Sequence, residues 1–153
     1  VTANYFFDTS ALVKLYHRED GSEKAEEIFN ESDSLVFVSE MGTVEIHSAL
    51  VKKVRVKELS KDEMDKALQS FYDDCVNERI RVVPMEPVYY QKAIVSLIEF
   101  GVRNNLRTLD AIQLSVASAF SERRELTYFV CADPVLCHIA QIAGLEVINP
   151  AIK

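Results

Sequence analysis

Asn4-Tyr5-Phe6-Phe7-Asp8-Thr9-Ser10-Ala11-Leu12 is the stretch around which the rest of the chain can be ordered. Its aromatic run has the length and composition of a buried strand, and it stops on a carboxylate. Small hydroxylated residues follow, and a helical pattern opens at Ala11, Leu12, Val13 and Leu15. A strand, a tight turn and a helix N-terminus are therefore predicted, with Asp8 at the hand-over. In an open parallel sheet this is where ligands bind, because strand C-termini and helix N-termini converge there.

Beyond that junction, a helix is expected to about His17 or Arg18, and Ser22 is expected to cap another through about Glu31. Leu35-Val36-Phe37-Val38-Ser39 is a continuous apolar run, as expected of a strand covered on both faces. Thr43 is expected to cap the next helix, whose Ile46, Ala49, Leu50 and Val54 share one face. Ser60 with Glu63 forms a capping-box signature, and Met64, Ala67, Leu68, Phe71 and Cys75 repeat at helical spacing to about Glu78. Arg81-Val82-Val83-Pro84 is a short strand, and Pro87 suits the first turn of a helix that frays near Gly101 to Asn105. Thr108 is expected to cap a helix to about Glu122. Tyr128-Phe129-Val130-Cys131 is the next strand, and Asp133-Pro134 reads as a cap and first helical residue. Gly144 closes that helix, and Leu145-Glu146-Val147-Ile148 is a last short strand. Strands alternating with helices predict a three-layer α/β/α sandwich with a mainly parallel central sheet.

The 153 residues suit one domain over 1–153, large enough for a proper core. With 48% hydrophobic and 27% charged residues, and only four Gly and four Pro, no linker or low-complexity tract is visible. The apolar runs are too short to span a bilayer and no leader pattern opens the chain, so a cytoplasmic protein is expected. Cys75, Cys131 and Cys137 are odd in number and irregularly spaced, which argues for reduced thiols. A net charge of −7 speaks against a general nucleic-acid coat. It leaves open an enzyme that meets phosphate through a metal ion, with acids gathered in the site.

Most acids lie in polar runs, such as Asp62-Glu63 or Asp73-Asp74, that a solvated helix face explains. Four do not. Asp8 follows Tyr5-Phe6-Phe7, Glu45 sits between Val44 and Ile46, Asp110 lies between Leu109 and Ala111-Ile112, and Asp133 follows Tyr128 to Ala132. A carboxylate among apolar neighbours is half buried, and a half-buried charge needs a partner. All four are expected in the first turn of a helix or just before it, where capping and the helix dipole also favour acids. Three of them follow strands expected to lie side by side, so their side chains should converge at one sheet edge. Two carboxylates ~4 Å apart repel by roughly 4 kcal/mol at an effective dielectric of about 20. A divalent cation removes that repulsion, and an all-oxygen donor set suits Mg²⁺ or Mn²⁺ rather than Zn²⁺.

In this order and spacing the sequence resembles the PIN-domain nucleases, most closely the VapC-type toxins of toxin–antitoxin pairs. The resemblance is carried by Phe7-Asp8-Thr9-Ser10-Ala11-Leu12, by Glu45 with Ala49-Leu50, by Arg107-Thr108-Leu109-Asp110-Ala111 with Leu114 and Ala117, and by Ala132-Asp133 with Leu136, Ala143 and Gly144. It implies a Mg²⁺- or Mn²⁺-dependent endoribonuclease with Asp8, Glu45, Asp110 and Asp133 as catalytic and metal-binding residues and Ser10 supporting the first acid. It also implies a homodimer and a cognate antitoxin that blocks the acidic pocket. The chain departs from the family at Cys131, where Thr or Ser is common two residues before the fourth acid; a thiol is a weaker hydrogen-bond partner. A non-catalytic PIN-fold domain that binds RNA or protein is the competing expectation.

Other patterns carry less. A phosphotransferase with an Asp nucleophile needs a second Asp two residues on, and Ser10 is there instead. Cys137-His138 are adjacent on a helix and so point apart, which is poor geometry for a thiol–imidazole pair. Lys52-Lys53-Val54-Arg55-Val56-Lys57 is the densest basic run, and a helix C-terminus accounts for it. Arg103 and Arg107, just before Asp110, rank higher as candidate phosphate contacts with RNA.

Overall fold

The computed structural model describes residues 2–152. In chain order the elements are β1 (Asn4–Phe7), α1 (Thr9–Leu12) with a 3₁₀ turn over Val13–Leu15, α2 (Ser22–Phe29), β2 (Leu35–Ser39), α3 (Glu40–Arg55), α4 (Lys61–Val76), β3 (Arg81–Val83), α5 (Pro87–Phe100), α6 (Thr108–Glu122), β4 (Tyr128–Val130), α7 (Pro134–Ile142) and β5 (Val147–Ile148). The sheet runs β3-β2-β1-β4-β5, and every neighbouring pair is parallel. Among the described residues, no helix is long and apolar enough to cross a membrane.

The opening aromatic run forms the central strand, and its alternation feeds two cores. Tyr5 and Phe7 pack with Val36, Val38, Ile46, Leu50 and Phe71 beneath α1 to α4. Phe6 packs with Phe129 and with Leu114, Phe120, Leu136 and Ile139 beneath α5 to α7. Phe6, Phe7 and Phe129 are all fully buried, which is why these strands read as unbroken apolar runs.

Helix starts differ from the sequence expectation in three places. β2 passes straight into α3, so Ser39, the last strand residue, is the cap, its side chain accepting from Gly42 N. Thr43 lies inside the helix and its hydroxyl turns back to Glu40 O. Ser22 is the first helical residue of α2, behind a left-handed Gly21 (φ 89°). An added Cβ at Gly21 would stand 2.9 Å from the backbone of Pro150 and Ala151, so space as well as φ calls for glycine there. α6 is capped by Arg107 without a side-chain bond, and Thr108 is its first residue. The Ser60–Glu63 capping box, Pro87 and Asp133-Pro134 stand where the sequence places them. Gly144, at φ 92°, follows the C-cap of α7.

Candidate active site

β2, β1 and β4 lie side by side, and their C-terminal ends deliver the polar residues to one edge. Phe7 is level with Val130, and Asp8 N still donates to Val130 O at 3.0 Å. Continuing that register sets Asp8 beside Cys131. Strand alternation turns Asp8 to the same side as Phe6, towards α6. α6 contributes Asp110 in its first turn, α3 contributes Glu45, and Asp133 caps α7. Glu45 is therefore a correction to the sequence expectation: with α3 starting at Glu40, it lies in the second turn, beyond the reach of a cap.

Asp8 is 4% exposed and is the most demanding of the four. Its Oδ1 accepts from Ser10 Oγ at 2.7 Å and from Ala11 N at 3.1 Å. Its Oδ2 meets the Cys131 thiol at 3.5 Å. Burial pushes its pKa up to about 7, against the lowering effect of those donors, and the charge of Asp110 adds to the rise. Ser10 also accepts from Ala132 N at 2.9 Å, so it ties β4's exit to Asp8. Cys131 bears on the first acid: it reaches the Asp8 carboxylate but only the backbone oxygen of Asp133. Its contact with Cys137, then burial, hold the thiol well above its ordinary range, so it stays protonated.

Glu45 is half-buried and accepts from Gln113 Nε2 at 2.8 Å. Burial raises its pKa, the Gln113 and Thr9 donors oppose this, and Asp110 adds to the rise. Asp110 is raised by burial as well, with Arg107 lowering it and Asp133 raising it. Asp110 is thus within electrostatic reach of the other three acids. Asp133 accepts from Val135 N and Leu136 N at 2.9 and 3.2 Å, the capping role foreseen for it.

Arg107 lies across two of the acids, with Nε 3.5 Å from Asp110 and Nη2 4.0 Å from Asp133. Its side chain is 71% exposed, so these contacts are weak and easily exchanged. Arg103 is exposed between α5 and α6; among the described residues it forms no ion pair with the four acids. The sequence reading missed Gln113, an amide buried with Ser115 in the mostly apolar inner part of α6. Its position between Ile112 and Leu114 was the available signal.

Among the described residues, no three His, Cys, Asp or Glu side chains stand close enough to form a ready cage for a metal ion. Asp8 and Asp133 each spend an oxygen on their own helix, and Asp110 turns to Arg107. The donor chemistry nevertheless fits a hard divalent cation. Asp8 Oδ2 faces only a thiol, Glu45 is held by neutral donors, and all four acids offer oxygen.

Residues 5–141 match the family model described as PIN domain. No curated protein matches the chain. Among solved structures, the fold is similar to VapC20 of Mycobacterium tuberculosis, a toxin described as cleaving the sarcin-ricin loop, with TM-score 0.67 and 16% identity, covering 95% of this chain and 99% of that one. It is also similar to VapBC2 of Rickettsia felis bound to a promoter DNA fragment, with TM-score 0.64 and 16% identity over 95% and 98% of the two chains. A toxin–antitoxin complex from Klebsiella pneumoniae gives TM-score 0.60 and 15% identity over 95% and 97%.

Proposed function

Because this chain belongs to the PIN domain family, we propose that it is a metal-dependent endoribonuclease and the toxin of a type II toxin–antitoxin pair. One observation carries the reading: four acids near the starts of four helices lie towards one sheet edge, and Asp110 is in electrostatic reach of the other three. Asp8, Glu45, Asp110 and Asp133 are the residues that would hold Mg²⁺ or Mn²⁺. When bound, such an ion supplies charge neutralisation at the attacked phosphate and activation of water for phosphodiester hydrolysis.

The chain's own residues divide the remaining work. Ser10 and Ala11 N fix one oxygen of Asp8 and leave the other, which has only the weak Cys131 thiol as a donor among the described residues, to ligate. Glu45 ligates or orients the attacking water, and Asp133 completes the acidic set. Arg107 is exposed and only loosely engaged, so it can leave the acids and take an RNA phosphate; exposed Arg103 is the second candidate for such a contact. As in the toxin–antitoxin complex it resembles in fold, the chain is expected to pair with an antitoxin. The family resemblance further implies that it works as a homodimer.

The absence of a ready three-ligand cage among the described residues favours a second reading, a non-catalytic PIN-fold domain that binds RNA or protein. Purified protein decides between them. The nuclease reading expects RNA cleavage that needs Mn²⁺ and stops with EDTA. Asp8→Asn should abolish that cleavage and keep the far-UV circular dichroism of the parent. Undiminished cleavage by the variant would remove Asp8 from the mechanism.

A further inference from the structure

Gln113 is 2% exposed and lies one helical turn after Asp110 on α6. It sits at the centre of a directional chain of hydrogen bonds. Gly42 N can only donate, and it gives its proton to Ser39 Oγ at 2.9 Å. The Ser39 hydroxyl proton goes to Gln113 Oε1 at 3.0 Å. The far side orients the amide, because an ionised Glu45 carboxylate can only accept: Nε2 lies 2.8 Å from Glu45 Oε1 and 3.3 Å from Thr9 Oγ1, and Oε1 is left to accept from Ser39. α3 carries glycine at position 42, where a Cβ would stand 3.2 Å from Gln113 Nε2 and 3.5 Å from Ser39 Oγ.

Glu45 draws its hydrogen bonds from other helices, whereas Asp8, Asp110 and Asp133 each have a donor on or at the start of their own. Asp8 and Asp133 are held by backbone N–H groups of their own helices. Glu45, in the second turn of α3, has only the Gln113 and Thr9 side chains as donors among the described residues. A neutral donor fixes a carboxylate without cancelling its charge, whereas an Arg or Lys there would compete with a cation. We propose that Gln113 is the positioning residue for Glu45, aiming its carboxylate into the cation site; this rests on the metal-dependent reading above.

The test is Mn²⁺ binding by calorimetry to the parent protein, Gln113→Met, Glu45→Gln and the double variant, alongside the RNA cleavage assay. Methionine keeps the volume and removes both amide groups. Folded Gln113→Met should bind Mn²⁺ about tenfold more weakly, in the range that loss of a ligand's orienting hydrogen bond gives. In the Glu45→Gln background the same change should weaken binding no further, because Gln113 acts through Glu45. If Gln113→Met does not fold, Gln113→Asn keeps the amide one methylene short of Glu45 and should show the same weakening and the same coupling. Parental affinity in the folded variants, or an undiminished effect without Glu45, overturns the proposal. Mn²⁺ binding without RNA cleavage would overturn the nuclease reading and leave the role of Gln113 standing. No Mn²⁺ binding by the parent overturns both.

Discussion

Asp8 is costly to bury, and the cost has a sign that can be measured. Its carboxyl moves from an ordinary value of 3.8 up to about 7 in the folded chain. The unfolded chain therefore loses this proton first, and between about pH 4 and pH 7 it binds fewer protons than the folded chain. On this account metal-free stability falls as pH rises through that window, with the full penalty present above about pH 7. Asp8→Asn keeps an oxygen for Ala11 N and carries no charge. Urea denaturation should find it more stable than the parent at pH 8, by on the order of a few kcal/mol, with the difference gone near pH 4. Equal stabilities at pH 8 would mean that burial does not penalise Asp8. The four acids were legible in the sequence because a charge among apolar neighbours is a local anomaly. Gln113 was not read, since its partners Ser39 and Glu45 lie 74 and 68 positions away.

At the scale of elements, strand and helix identities followed from periodicity, and the misplaced caps have a common cause. Ser39 closes β2 and opens α3 with no loop between, so it reads as a strand residue and Thr43 is the first hydroxyl that looks like a cap. Arg107 occupies the cap position of α6 without a side-chain bond, a geometry that no residue type announces. Where strand and helix are separated by a proper turn, the signals held, as in the reciprocal Ser60–Glu63 box of α4. Ser60→Ala should lower stability by about 1 kcal/mol in equilibrium unfolding. Mn²⁺ binding should stay at the parental level, because neither partner of that box bonds to the four acids.

For the molecule as a whole, burial first and the charge of Asp110 after it raise Asp8 and Glu45 at the edge where β2, β1 and β4 end, and the proposed cation would offset that cost. An ion that binds only the folded chain stabilises it by RT ln(1 + [L]/Kd), about 2.7 kcal/mol at one hundred times Kd. For a chain of this size that is a rise in Tm of roughly 5–10 °C, which differential scanning calorimetry with Mn²⁺ should record and EDTA should reverse. Asp8→Asn should show little of it; an unchanged parental Tm would count against any cation site at this edge. The sequence by itself determined the elements, the parallel α/β/α class and the kind of residue at the site, because periodicity and a charge in apolar company are local properties. Only the tertiary structure decided that β1 sits at the centre of β3-β2-β1-β4-β5, that Cys131 bears on Asp8, and that one amide of α6 links β2, α3 and α1. Those are contacts between residues far apart along the chain, fixed by how the layers pack, and packing leaves no periodic trace in any one segment.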